Sequence, residues 1–380
     1  MNARTTTVTG TATRSRTRET AITHLTHAAT RPPPDAAASV EKPFDVSLMV
    51  IVATLIGFGV VMVYSASIGE ATKAHNPANF FLVKHLKHVA IGLVVFTIGM
   101  MLNYQVYRRF AYPGLLLAGA GLVYVLVKGV IRGNARRWID VPFLGEFQPS
   151  ELAKLAFVVY LAYSLEKKVE EMRQASISFL PHFLMATLIM TPLIMQPDLG
   201  SAIVIAAVLM GLQILAGTRG TTIFAMGLVL VPLTLAYAFF ARSGRMAPWI
   251  SPWEVRYGDG FQPTQSIMSL GSGGVWGLGL GAGRQKMGFL TQSHTDFIFA
   301  TIGEELGLIG TLGVIFLFAA LCWRGFRAAM KAPDRFGRYL AFGITLLIGL
   351  QAFVNMGVST TLLPTKGLNL PFVSGGGTAL

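Results

Sequence analysis

Residues 294–323 read HTDFIFATIGEELGLIGTLGVIFLFAALCW. A short polar start leads through two adjacent carboxylates, Glu304 and Glu305, into an apolar run. As a helix rising about 1.5 Å per residue, that run is long enough to cross a hydrocarbon core of roughly 30 Å. The pattern recurs along the chain, and its recurrence decides the fold. Apolar stretches occupy approximately 46–66, 88–103, 111–127, 151–165, 178–195, 200–216, 221–241, 298–323 and 340–361. Glycine and alanine within them, as around Gly119 and Gly121, let helices approach closely, which is how membrane bundles pack without a hydrophobic drive between helices. Strands are not needed, and no fixed-period repeat is visible. The expectation is an all-α polytopic membrane protein with nine visible spans and a large loop, 242–296, between the seventh and eighth.

Composition agrees. Hydrophobic residues make up 53% of the 380 and charged residues 13%, far from a soluble balance. The net charge of +13 is dispersed through an oily chain and not gathered in one patch, which argues against nucleic acid as a partner. Cys322 is the only cysteine and the seven histidines show no metal-ligand spacing, so no dedicated metal cage is encoded. Residues 1–45 are rich in Thr, Ala and Arg, contain Pro32-Pro33-Pro34 and lack an apolar run, and read as a disordered tail. A transit peptide is the alternative, weakened by Glu19, Asp35, Glu41 and Asp45. Basic residues divide almost evenly between the two faces of a nine-span chain, so the positive-inside rule leaves the orientation open. If the tail is cytoplasmic, the outer loops are unusually basic and point to an anionic ligand handled outside.

Chemistry-bearing residues gather in four places. The loop RGNARRWIDVPFLGEFQPSELAKLA (132–156) sets Arg136, Arg137 and Trp138 at the bilayer edge, as an interfacial belt or as ligand contacts. It then starts a helix with Ser150 as N-cap. Lys154, one turn into that helix, must snorkel, pair with Glu151 at i,i+3 or meet a buried anion. Asp198 in MQPDLGSA (195–202) has the setting of an N-cap in a Pro-Asp turn. The long loop carries Gly271, Gly273, Gly274, Gly277, Gly279, Gly281, Gly283 and Gly288, which let backbone approach a ligand, but no GxxxxGK[ST] phosphate loop. Asp296 ends that loop as either a helix cap or a reactive carboxylate. Glu304 and Glu305 lie about 12 Å deeper along the helix, where at least one must face the bundle interior or a polar cavity.

Six segments in this order, GNARRWI, FQPSELAKLA, QPDLGSA, QSIMSLGSGGVWGLGLGAGRQKMGFL, HTDFIFATIGEELG and LPTKGLNLPFVSGGG, resemble the FtsW/RodA (SEDS) family of cell-wall polymerases from about Asp45 to the last residue. PWE, GLG and QK in the long loop, with the long basic tail, are closer to the division branch than to the elongation branch. The resemblance implies a helical fold of usually ten spans in the bacterial cytoplasmic (inner) membrane, a cytoplasmic N-terminus and an outward-facing site. It implies polymerisation of lipid II, a disaccharide peptide on undecaprenyl pyrophosphate, into glycan strands. The implied partners are a monofunctional penicillin-binding protein transpeptidase and other division membrane proteins. It places the essential loop aspartate on Asp296, the conserved arginine on Arg137 and the conserved lysine on Lys154. The chain departs from the pattern at Gly133-Asn134, Thr291-Gln292, Asn369 and Gly375, and it stops at Leu380, where the family continues into a tenth span.

Sugar transfer from a lipid pyrophosphate needs a base for the acceptor hydroxyl and stabilisation of the departing anion. Asp296 is the candidate base; Arg137, Lys154 and Lys366 are candidates for the pyrophosphate, with Trp138, Asp198, Glu304 and Glu305 completing the expected substrate-binding set. A transient divalent cation, magnesium or manganese, could assist at Asp296. A flippase, with Glu304, Glu305 and Lys154 along a polar path, and a non-catalytic division scaffold stand as alternatives.

Overall fold

A computed structural model describes residues 45–376 apart from 133–134, 142–144, 169–178, 242–246, 288, 291 and 366. The expected tail, save Asp45, and Lys366 therefore lie outside the described residues. In chain order the helices are α1 (Val46–Lys73), α2 (Phe80–Met101), α3 (Ala111–Lys128), α4 (Pro149–Lys167), α5 (Leu180–Met195), α6 (Leu199–Leu215), α7 (Gly220–Ala241), α8 (Ala247–Ile250), α9 (Phe261–Gly273), α10 (Ile298–Met330) and α11 (Arg335–Ser359).

Each apolar stretch read from the sequence falls on a helix. Val46–Lys73, Phe80–Met101, Tyr104–Lys128, Ile298–Met330 and Arg335–Ser359 are long and apolar enough to cross a membrane, and α5 and α6 are shorter apolar helices. The protein is thus a polytopic helical membrane protein. Several helices run past their apolar stretch. α2 begins at Phe80, eight residues before the expected start, and takes in Lys84, His85, Lys87 and His88. Hydropathy marks where a helix meets lipid, not where its hydrogen bonds end.

The expectation that no strands are needed is corrected. Between α3 and α4, β1 (Val130–Arg132), β2 (Ala135–Val141) and β3 (Gly145–Phe147) form an antiparallel meander in that order. Trp138 faces Val130, and Ile139 faces Phe147. This ribbon belongs to a loop, where its polar edges need no lipid solvent, and its seven-residue central strand was read as interfacial aromatic and basic residues. The long loop likewise contains helices α8 and α9, which its glycine content concealed.

α4 is the centre of the bundle and packs against α3, α6 and α11. Phe157, Leu161 and Leu165 on α4 are fully buried and share a core with Leu209 and Leu212 of α6 and Phe336 of α11. A second core joins Leu55 and Met62 of α1 to Phe299, Ile302 and Phe318 of α10 and to Leu370 and Val373 beyond α11. The outward faces are apolar too, with Leu116 75% and Phe316 71% exposed, as expected of helices solvated by lipid.

α10 is broken at Gly307, whose φ of +65° suits glycine. A break frees backbone groups that lipid cannot satisfy. Here the glycine-rich segment supplies the partners. Leu278 and Gly279 donate their N–H groups to the carbonyls of Glu304 and Glu305 at 3.0 and 2.9 Å, and Leu308 N–H donates to Gly274 O at 2.9 Å. A Cβ on Gly277 would lie 2.2 Å from Glu305 O. The close backbone approach anticipated for a ligand is made here to the broken helix.

Candidate active site

Strand alternation separates the three residues read together as a belt. Side chains of β2 point alternately to opposite faces, so Arg137 lies opposite Arg136 and Trp138. Arg137 Nε donates to Gln196 O at 3.1 Å and Nη2 donates to Pro197 O, which docks the guanidinium on the turn between α5 and α6. Asp198 builds that turn. It is the N-cap of α6, accepting from Ser201 N–H at 3.3 Å and Ser201 Oγ at 2.8 Å, and is 2% exposed.

Asp296 meets Arg137 at Gly367. A Cβ placed on Gly367 would lie 2.8 Å from Asp296 Oδ2 and 3.9 Å from Arg137 Nη1. Asp296 is half-buried, and the cap position of α10 belongs to Phe297, with no side-chain cap bond. The carboxylate is therefore not the helix cap that its sequence position also allowed. Its backbone is held from three sides. Asn355 Nδ2 donates to Asp296 O at 2.9 Å and to Leu368 O at 2.7 Å, Ser374 Oγ donates to Thr295 O at 2.7 Å, and Gly375 N–H donates to His294 O at 2.8 Å. The segment after α11 thus clasps residues 294–296.

Lys154 is 1% exposed, and of its three sequence-level fates the structure takes pairing. Its ammonium donates to Glu151 Oε1 at 2.8 Å, while Gln351 of α11 donates to Glu151 Oε2 at 3.0 Å. The N-cap of α4 is Gln148, with Pro149 in the first turn, and not Ser150. Proline at the first helical position loses no needed N–H and shifts the start by two residues.

Both Glu304 and Glu305 are buried, as cost in a membrane requires of at least one. Glu305 pairs with Lys286 and accepts from Ser65 Oγ of α1 at 2.7 Å; Glu304 accepts from the N–H groups of Arg284 and Gln285 at 2.6 and 3.1 Å. These contacts tie the glycine-rich segment and α1 to α10, and they form a cluster apart from that of Lys154 and Glu151. Gly367, Asn355, Lys286 and Ser65 were missed as site or support residues. The only signals were a lone asparagine in an apolar span and membership of the segments GAGRQK and LPTKGLNLP. Among the described residues, no group of three or more His, Cys, Asp or Glu side chains is arranged to hold a metal ion.

The geometry defines a polytopic helical membrane protein with a carboxylate and an anchored guanidinium brought together at one end of its bundle. Residues 46–380 match the cell cycle protein family that comprises FtsW, RodA and SpoVE. A Geobacter metallireducens protein described as "Probable peptidoglycan glycosyltransferase FtsW" is 43% identical over 345 residues, covering 89% of this chain and 91% of its own. Stage V sporulation protein E of Bacillus subtilis is 36% identical over 344 residues, covering 88% and 93%. Among solved structures, a chain from work on the structural coordination of polymerization and crosslinking by a peptidoglycan synthase complex aligns with a TM-score of 0.72 at 26% identity, covering 89% of this chain and 94% of that one. The Thermus thermophilus rod shape determining protein RodA aligns with a TM-score of 0.65 at 26% identity, covering 89% and 92%. The chain belongs to the FtsW/RodA/SpoVE family.

Proposed function

We propose that the chain is a peptidoglycan glycosyltransferase that polymerises lipid II into glycan strands at the outer face of the bacterial inner membrane, for septal wall synthesis in division. The observation that carries this reading is the convergence of Asp296 and Arg137 on Gly367. In the transfer, the acceptor hydroxyl oxygen bonds to the anomeric carbon of the donor sugar, the bond from that carbon to the pyrophosphate breaks, and the hydroxyl proton goes to Asp296. General-base assistance of this kind contributes about 100- to 10,000-fold. Arg137, fixed by two carbonyls, keeps Nη1 toward Gly367 and stabilises the departing pyrophosphate through charge-assisted hydrogen bonds. Lys154 joins it when its pair with Glu151 opens, and Lys366 completes the anion contacts, while Trp138, on the opposite face of β2, sets the ribbon at the membrane boundary. Asp198 acts through the turn that docks Arg137.

One carboxylate from the protein fits magnesium or manganese only as a shared ligand with phosphate oxygens, where the ion would add charge neutralisation. Nine spans, a cytoplasmic tail over 1–45, the 242–296 loop on the outer side and a penicillin-binding transpeptidase as partner belong to the same proposal. The family match and the synthase-complex likeness support it. For a flippase, Glu304 and Glu305 would need to face a path with Lys154, but Glu305 is taken up by Lys286 and Ser65, and Glu304 is buried with one oxygen held by backbone N–H groups. Purified protein given lipid II in detergent, where there is no bilayer to cross, tests the proposal. Glycan chains are expected; their absence in the presence of a folded protein and its transpeptidase partner would overturn it.

A further inference from the structure

At the other end of the bundle, about 28 Å along the 19-residue α4 from the Arg137 end, the 3-10 turn Tyr104–Phe110 that leads into α3 and the end of α4 border a cavity of about 520 Å³. Arg108, Arg109, Tyr163, Glu166 and Lys167 line it. We infer that this cavity binds the headgroup phosphate of an anionic phospholipid. The lining has three cations and one carboxylate. Arg108 is committed to the wall, since it pairs with Glu166 and its guanidinium sits 5.3 Å from the Phe336 ring centroid. Arg109 and Lys167 are exposed and, among the described residues, have no carboxylate partner. The Lys167 ammonium stands 4.6 Å over the Tyr163 ring, which meets Tyr112 edge-on at 5.8 Å. Two exposed cations with no carboxylate partner among the described residues, one of them held against a tyrosine, form a site for a phosphate at a membrane boundary.

What selects a lipid over a free anion is the surface next to the cavity. From Tyr112 onward α3 turns an apolar row outward, with Tyr112 52%, Leu116 75%, Val123 54% and Val127 65% exposed. These positions share one helical face, which continues from the cavity toward the far end of the bundle. A phosphate held by Arg109 and Lys167 therefore places an attached acyl chain along a row built for hydrocarbon, beside an aromatic pair of the kind that sits at headgroup depth. The site does not depend on which face of the bundle is cytoplasmic, nor on the polymerase reading.

The full chain in a neutral detergent is titrated separately with phosphatidylglycerol, phosphatidylcholine and inorganic phosphate, with melting temperature and lipid retention in native mass spectrometry as readouts. Phosphatidylglycerol is expected to bind and stabilise, and phosphatidylcholine to do so far more weakly. In R109A/K167A its apparent affinity should fall about 30-fold, the weight of two basic groups near an anionic surface. Should the alanine variant melt early without lipid, R109Q/K167Q removes the charges while retaining a longer, polar side chain than alanine and serves instead. Unchanged phosphatidylglycerol binding in the folded variant overturns the proposal. Stabilisation by inorganic phosphate equal to that by the lipid also overturns it, since it would leave a simple anion site.

Discussion

Replacing Gly367 with alanine tests the candidate site through its geometry while leaving every charged group in place. The new methyl carbon would arrive 2.8 Å from Asp296 Oδ2, whereas ordinary contact distances are about 3.5–4.0 Å, so the carboxylate must retreat by roughly 1 Å. The cost to stability should be small, within about 1 kcal/mol, because the atom that moves is the tip of a half-buried side chain. The backbone of residues 294–296 stays clasped by Asn355, Ser374 and Gly375, none of which touches the new methyl group in the present geometry. Catalysis is less forgiving, since a displacement of about 1 Å costs on the order of 100-fold. Asp296→Asn is the companion variant. It keeps the shape and the Asn355 clamp but removes the base, so polymerisation should fall by about 100- to 10,000-fold with the melting temperature nearly unchanged. Lipid II polymerisation is measured by gel separation of glycan chains, beside thermal unfolding of each variant. Near wild-type synthesis by both would refute the reasoning, because neither the position nor the charge of the carboxylate would then matter.

Arg137→Lys keeps the charge but cannot make the paired donation to Gln196 O and Pro197 O, and polymerisation should drop roughly 10- to 100-fold, the worth of one or two charge-assisted bonds; undiminished turnover would show that charge alone suffices. Lys286→Ala leaves the Glu305 carboxylate buried without its cation and should destabilise by about 3–5 kcal/mol, with much of that loss recovered in Lys286→Met combined with Glu305→Gln; thermal unfolding of the single and double variants reads this, and a neutral single variant would contradict it. Asp334, in the turn between α10 and α11, feels burial that raises its pKa, outweighed by hydrogen bonds from Tyr104, Gln105 and the Gly337 N–H and by nearby Arg108, so the carboxyl is held below its ordinary value. Its contribution to stability is therefore present above the unfolded carboxyl pKa of about 3.9 and is lost as pH falls through the lower folded value. Asp334→Asn should flatten that part of the stability profile, and an unaltered acid limb would count against the assignment.

The sequence alone determined that the chain is a helical membrane protein, because the length and apolarity of a spanning helix are local properties that hydropathy records directly. It also determined that at least one of Glu304 and Glu305 faces inward, since the cost of a bare carboxylate in lipid depends on no particular neighbour, and the structure buries both. Its six segments carried the family and, through it, Asp296, Arg137 and Lys154. The tertiary structure decided what each of these touches. Pairing of Lys154 with Glu151, one of three fates open to a buried ammonium, depends on α11 bringing Gln351 to the other carboxylate oxygen. The direction of Arg137 depends on a strand, whose alternation turns it away from the neighbouring Arg136 and Trp138 and onto carbonyls about 60 residues further along the chain. The glycines of the long loop, read as room for a ligand, became room for the broken turn of α10 at Gly307, a partner no local pattern names. Asp296 itself could have been a cap or a reactive group by sequence. It is released from capping because Phe297 takes the cap position, and it is brought to Arg137 because the segment after α11 folds back over residues 294–296. Long-range contacts of this kind join residues far apart in the chain, and a single sequence shows which residue types can make them but not which pairs do.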